Sequence, residues 1–91
     1  MKADKVKVSR LLKTARGQLD GILNMIEEDR YCMDVLNQLL ASEAILRRAE
    51  REVLRAHMEG CVAEAFERAD EADREQKIDE IIKAVEKMER L

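Results

Sequence analysis

The chain has 91 residues, which gives one small domain with too little interior to stand alone, so association with further copies is expected. Charged residues make up 41% and aromatics 2%, with no proline, a composition that favours long helices over strands and points to an all-α fold. No stretch has the apolar length of a membrane span and the opening residues lack a signal peptide's apolar core, so a cytoplasmic protein is expected, one whose two cysteines read as thiols or metal ligands sooner than as a disulfide.

The net charge of −3 hides an asymmetry. Residues 1–19 carry Lys2, Lys5, Lys7, Arg10, Lys13 and Arg16 against Asp4 alone, and the remainder is acidic. A single domain over 1–91 is expected, with three helices at about 4–28, 31–67 and 75–90. In the first, Leu12, Ala15, Leu19, Ile22 and Ile26 share a face and the other side is basic. Gly17 and Gly21 stand a turn apart on it, each costing up to about 1 kcal/mol against alanine, which fits either a close backbone contact or simple tolerance.

Residues 27–30 break the pattern and offer Asp29 as a cap for a second helix. No glycine or proline interrupts the chain from Cys32 to Glu59, and the apolar face runs through Val35, Leu36, Leu39, Leu40, Ile45, Leu46, Ala49, Val53, Leu54, Met58 and Cys61 to Ala65. Residues 68–74 are acidic and lack large apolar side chains, after which Ile78, Ile81, Ile82, Val85 and Met88 set up the third helix.

His57 and Cys61, four positions apart, project from one helix face about 5–6 Å apart, a span one metal ion can bridge. Alone the pair says little, because a helix histidine is ordinarily hydrogen-bonded or at the surface and a cysteine on an apolar face is ordinarily core. Cys32 stands 25 positions before His57, about 37 Å along a continuous helix, so the two cannot meet within it. An antiparallel copy crossing near Ile45 and Leu46 would set Cys32 of one chain beside His57 and Cys61 of the other, twice by symmetry. Two thiolates and one imidazole suit Cu(I), one ion per protomer, whereas structural zinc wants a fourth ligand and nickel or cobalt more histidines than the single one present.

Basic residues supply sequence-independent affinity for phosphates, and the candidates are Lys5, Lys7, Arg10, Lys13 and Arg16 with Arg47, Arg48, Arg51 and Arg55. A charge run is ordinarily a solvated face, most of all at Arg51 and Arg55 beside Glu50 and Glu52. There is no helix-turn-helix pair, zinc finger or basic-zipper pattern. A thiol enzyme would need an oxyanion-binding glycine loop that the sequence lacks, so no enzyme is expected.

The segments 15–19 (Ala-Arg-Gly-Gln-Leu), 28–35 (Glu-Asp-Arg-Tyr-Cys-Met-Asp-Val), 38–41 (Gln-Leu-Leu-Ala) and 57–62 (His-Met-Glu-Gly-Cys-Val) closely resemble the copper-sensing operon repressor (CsoR) family, over essentially residues 5–90. That family sits in a wider group of repressors that includes nickel and formaldehyde regulators. The resemblance implies a homodimer built as an antiparallel four-helix bundle, pairing into a homotetramer, with Cys32 of one protomer and His57 and Cys61 of the other as the copper ligands. It implies operator binding in the apo form, release on Cu(I), and no membrane partner. Tyr31 and Glu80 resemble the residues that hydrogen-bond to the far nitrogen of the metal-bound His57.

Arg48 matches a basic position implicated in operator contact, and Lys7, Arg10, Lys13 and Arg16 complete the expected DNA-binding set. Leu11 departs from the pattern, standing where many members have arginine. Nickel and cobalt sensors use extra histidines missing here, formaldehyde sensors usually lack the cysteine matching Cys61, and persulfide sensors generally lack the histidine matching His57. A persulfide-responsive repressor using Cys32 and Cys61, or a copper-binding buffer protein, are the alternatives.

Overall fold

The computed structural model describes residues 1–68 and 71–90, and among them every regular element is helical. Helix α1 spans Lys5–Glu27 and α2 spans Cys32–His57; a π-helical turn, Met58–Val62, leads into the short α3, Ala63–Glu67, and α4 spans Glu71–Arg90. The three-helix, all-α expectation holds, with the second helix of the sequence reading resolved into α2, the π turn and α3 in direct succession. No described helix is long and apolar enough to cross a membrane.

Local chemistry sets the ends of α1. The Asp4 carboxylate accepts from the amides of Val6 (3.0 Å) and Lys7 (3.2 Å), a cap worth about 1 kcal/mol. At the other end Asp29 adopts φ 54°, its amide donates to the Ile26 carbonyl, and the Arg30 amide donates to Met25, the two bonds of a Schellman motif. Asp29 therefore closes α1 instead of opening α2, where the Tyr31 carbonyl accepts from Asp34 and Val35.

Asp4–Val53 form one compact unit, an antiparallel hairpin of α1 and α2. Lys7 Nζ pairs with Glu52 Oε1 at 2.9 Å, and the Ser42 hydroxyl donates to Gln18 Oε1 at 2.9 Å. Val8, Leu11, Ala15, Ile22, Ser42 and Ala49 are buried between the helices, while Leu12, Leu19, Leu23 and Ile26 of α1 and Leu36, Leu39, Leu40, Leu46 and Val53 of α2 are exposed. At about 100° per residue the buried and the exposed residues of α1 occupy neighbouring arcs of about 60° each. The face expected from the sequence straddles both: Ala15 and Ile22 lie inside, Leu12, Leu19 and Ile26 outside, and Val8 and Leu11 complete the interior.

The other unit is Met1–Ala3 with the chain from Leu54 onward. Ala3, Val62 and Ala65 are buried in it. Arg74 Nη2 donates to the Phe66 carbonyl (3.2 Å) with its guanidinium 5.5 Å from the Phe66 ring, so this side chain tends the end of α3. Helix α4 begins at Glu71, four residues before the expected start at 75, because Glu71 and Asp73 place negative charge against the positive end of the helix dipole, a stabilisation that apolar periodicity does not report.

Candidate metal centre

His57 is the last residue of α2 and is half-buried. Its Nε2 lies 3.4 Å from Glu80 Oε2 on α4, and Glu80 Oε1 is 3.8 Å from Lys77 Nζ a turn earlier. With Nε2 facing the carboxylate, Nδ1 is the nitrogen left for a metal ion.

Cys61, a half-buried free thiol, is the fourth residue of the π turn. A π turn closes i to i+5 and is wider than an α turn, so it resets the direction of Cys61 relative to His57. Gly60 sits in that turn, and a β-carbon there would come within 3.0 Å of Lys2 Cγ and 3.1 Å of Cδ. The Lys2 stem thus lies against bare backbone, and its ammonium pairs with Glu64 at 3.0 Å. The hydrogen bond to Glu64, then its charge, raises the Lys2 pKa above the ordinary lysine value, and the same contact lowers the Glu64 carboxyl below the ordinary range.

Cys32 is the first residue of α2, an exposed free thiol preceded by the exposed Tyr31. Among the described residues no three histidine, cysteine, aspartate or glutamate side chains of the single chain gather into a group able to hold a metal. Of the residues expected to meet DNA, Arg10, Lys13, Arg16 and Arg48 are exposed, and Lys7 is engaged with Glu52. Leu11 is 9% exposed: position 11 packs the hairpin in this chain.

The family model for metal-sensitive transcriptional repressors matches residues 4–87. The chain belongs to this family. The family is one of repressors and not of enzymes. Among curated relatives, the copper-sensing transcriptional repressor CsoR of Mycobacterium ulcerans (strain Agy99) is 54% identical over 54 residues, 59% of this chain and 46% of that protein, so the matched stretch is about half the relative's length. The crystal structure of the copper-sensing repressor CsoR with Cu(I) from Geobacillus thermodenitrificans NG80-2 superimposes with a TM-score of 0.82 at 31% identity, over 97% of this chain and 92% of that one. The nickel-responsive transcriptional regulator InrS gives 0.76 at 30% identity, over 96% and 94%. A copper-sensing repressor and a nickel-responsive regulator therefore share this helical frame, and the donor set has to separate them.

Sequence reasoning missed three contributors. Ser42 buries a hydroxyl on the apolar face of α2, where its place in the series Leu39, Ser42, Leu46, Ala49 was the available signal. Gln18 is its partner. Gly60, with Lys2 across it, was passed over because the π turn leaves no mark in hydrophobic periodicity.

Proposed function

We propose that the chain is a single all-helical, metal-sensing and DNA-binding domain acting in the cytoplasm as a copper(I)-responsive transcriptional repressor. It binds operator DNA in the apo form and dissociates on Cu(I), derepressing copper-resistance genes. The observation that carries this reading is the half-buried pair of His57 and Cys61 at the α2–π junction, with His57 Nε2 turned to Glu80, in a chain that belongs to the metal-sensitive repressors. Two thiols and one imidazole fit Cu(I), a soft ion content with few ligands, and supply too little nitrogen for nickel.

Cys32 of one protomer with His57 and Cys61 of its partner would hold one Cu(I) per protomer. The exposed arcs around Leu12, Leu19 and Leu23 of α1 and around Leu36, Leu39 and Leu46 of α2 supply the apolar surface for an antiparallel dimer, which pairs into a tetramer. Tyr31 adjoins Cys32 and arrives with it, so Tyr31 and Glu80 both act on the orientation of His57. Glu80 lies on α4, which gives His57 a lever on that helix. If Cu(I) weakens DNA binding by some factor, DNA weakens Cu(I) binding by the same factor.

An anaerobic DNA-binding titration at fixed salt, with an operator fragment from the native upstream region, tests this. Release by Cu(I) and not by Zn²⁺, Ni²⁺ or a persulfide donor, lost in Cys32→Ala, is expected. Release by persulfide alone would move the protein to sulfur sensing, and copper binding without DNA binding would make it a buffer.

A further inference from the structure

The π turn Met58–Val62, which carries Cys61, is crossed by the opening residues of the chain. Ala3 is 6% exposed, packed into the same compact unit as the turn, and Lys2 lays its stem over Gly60. A β-carbon on Gly60 would come within 3.0 Å of Lys2 Cγ, 3.1 Å of Cδ and 3.4 Å of Cε, whereas one on Gly17 or Gly21 would meet nothing within 4 Å. Glycine inside a helix weakens it, so position 60 has a reason to stay bare: the lysine stem runs where a side chain would stand.

The far end of the stem is fixed as well. Lys2 Nζ reaches Glu64 Oε1 at 3.0 Å, and Glu64 lies in α3, beyond the turn. Glu64 acts on the ammonium most strongly, and the charge of Cys61 also favours its protonated form, so the head of the side chain stands within electrostatic reach of the thiol. The lysine therefore bridges the turn from the Gly60 backbone to the first residues of α3. A π turn is an unusual backbone state, and such turns recur at functional sites. In an α-helix four steps make about 400° and set i and i+4 side by side, but a turn closed from i to i+5 is wider, so four steps fall short of a full turn and Cys61 is aimed differently from His57.

We propose that Lys2 is a positioning residue of the metal centre: anchored by Glu64 and resting on Gly60, it straps the Met58–Val62 turn in the π form and so presents Cys61 beside His57 for the metal ion. This deepens the copper reading and rests on it. Cys32, at the start of α2, belongs to the other compact unit and is outside the strap. The Lys2–Glu64 pair is half exposed on both sides, so water competes with it and the strap opens more readily than the buried packing around Val62 and Ala65.

The test is hydrogen exchange of the full metal-free chain at fixed pH, read by mass spectrometry over residues 58–64, beside Cu(I) affinity measured by competition with a chromogenic chelator. Lys2→Ala is expected to exchange about two- to five-fold faster over 58–64, with α1 unchanged, and to bind Cu(I) more weakly by a similar factor. Lys2→Arg, which keeps both stem and cation, is expected to match the parent in both readouts. Lys2→Met, which keeps the stem and loses the cation, is expected to fall between Lys2→Ala and the parent. Unchanged exchange in Lys2→Ala overturns the strap, and so does an equal rise over α1, which is a general loss of stability. Faster exchange over 58–64 with undiminished Cu(I) affinity in Lys2→Ala overturns the positioning role. A parent chain that binds no Cu(I) defeats the copper reading, and the positioning role with it, whatever exchange shows of the strap.

Discussion

The Ser42 hydroxyl donates to Gln18 Oε1 across 2.9 Å inside a hairpin otherwise packed from apolar side chains. Ser42 is 3% exposed and Gln18 half-buried, so the bond is partly shielded from water, and it ties one turn of α1 to one turn of α2. Ser42→Ala should cost about 1–2 kcal/mol, because it leaves a polar atom of Gln18 without its partner. Adding Gln18→Leu should return part of that loss. A urea-denaturation double-mutant cycle checks both, and simple additivity would show that the two side chains do not act together.

Gly60 and Lys2 are coupled in a different way. Gly60→Ala gains helix propensity of about 0.5–1 kcal/mol but drives a β-carbon into the Lys2 stem. The substitution should stabilise the protein more in a Lys2→Ala background than in the parent. Thermal melts of the four variants read the difference, and equal gains in both backgrounds would remove the Lys2 contact from the account.

Asp29 holds φ 54°, a region costly for most side chains and free for glycine. Asp29→Gly should therefore raise the melting temperature by a few degrees, an effect of roughly 0.5–1 kcal/mol. Cu(I) affinity, measured by competition with a chromogenic chelator, should not change.

The Lys2–Glu64 pair carries a pH signature. Glu64 has a lowered pKa in the folded chain, so its contribution is present above the ordinary glutamate pKa and disappears as pH falls through the lowered value. Lys2 has a raised pKa, so its contribution is present below the ordinary lysine pKa and disappears as pH rises through the raised value. In Glu64→Gln both limbs should flatten in the difference between variant and parent melting curves.

Glu80→Gln and Tyr31→Phe test the proposed coupling. Each should leave Cu(I) affinity nearly intact while Cu(I) no longer releases the operator. A parallel loss of copper binding would place these side chains in direct support of the metal instead.

The helices were legible because apolar residues recur at three and four positions from Leu12 to Ile26 and from Val35 to Ala65. Which of them lie inside the hairpin was not, because α1 carries two adjoining apolar arcs and periodicity cannot say which one the chain uses for itself. Val8 and Leu11 lay among basic residues, and Leu11 drew attention as a missing arginine when its role is packing. The His57–Cys61 spacing could be read directly, but the π turn that carries Cys61 could not, since a single wider turn leaves no mark in hydrophobic periodicity, and neither could the approach of Lys2 to Gly60 across a long stretch of sequence. Glu80 near His57 was reachable only through the family resemblance, since α4 is placed by contacts such as Arg74 with Phe66 that no local pattern encodes.

If the protomers pair as proposed, the uncovered leucines of the hairpin bind folding to abundance. In the proposed dimer, a protomer that leaves Leu12, Leu19, Leu23, Leu36, Leu39 and Leu40 in water would gain stability by meeting its own kind, so dilution would act on it as a mild denaturant and its melting temperature would climb with concentration. Newly made chains at low copy number would be the most exposed to proteases, and the pool would become durable as it fills.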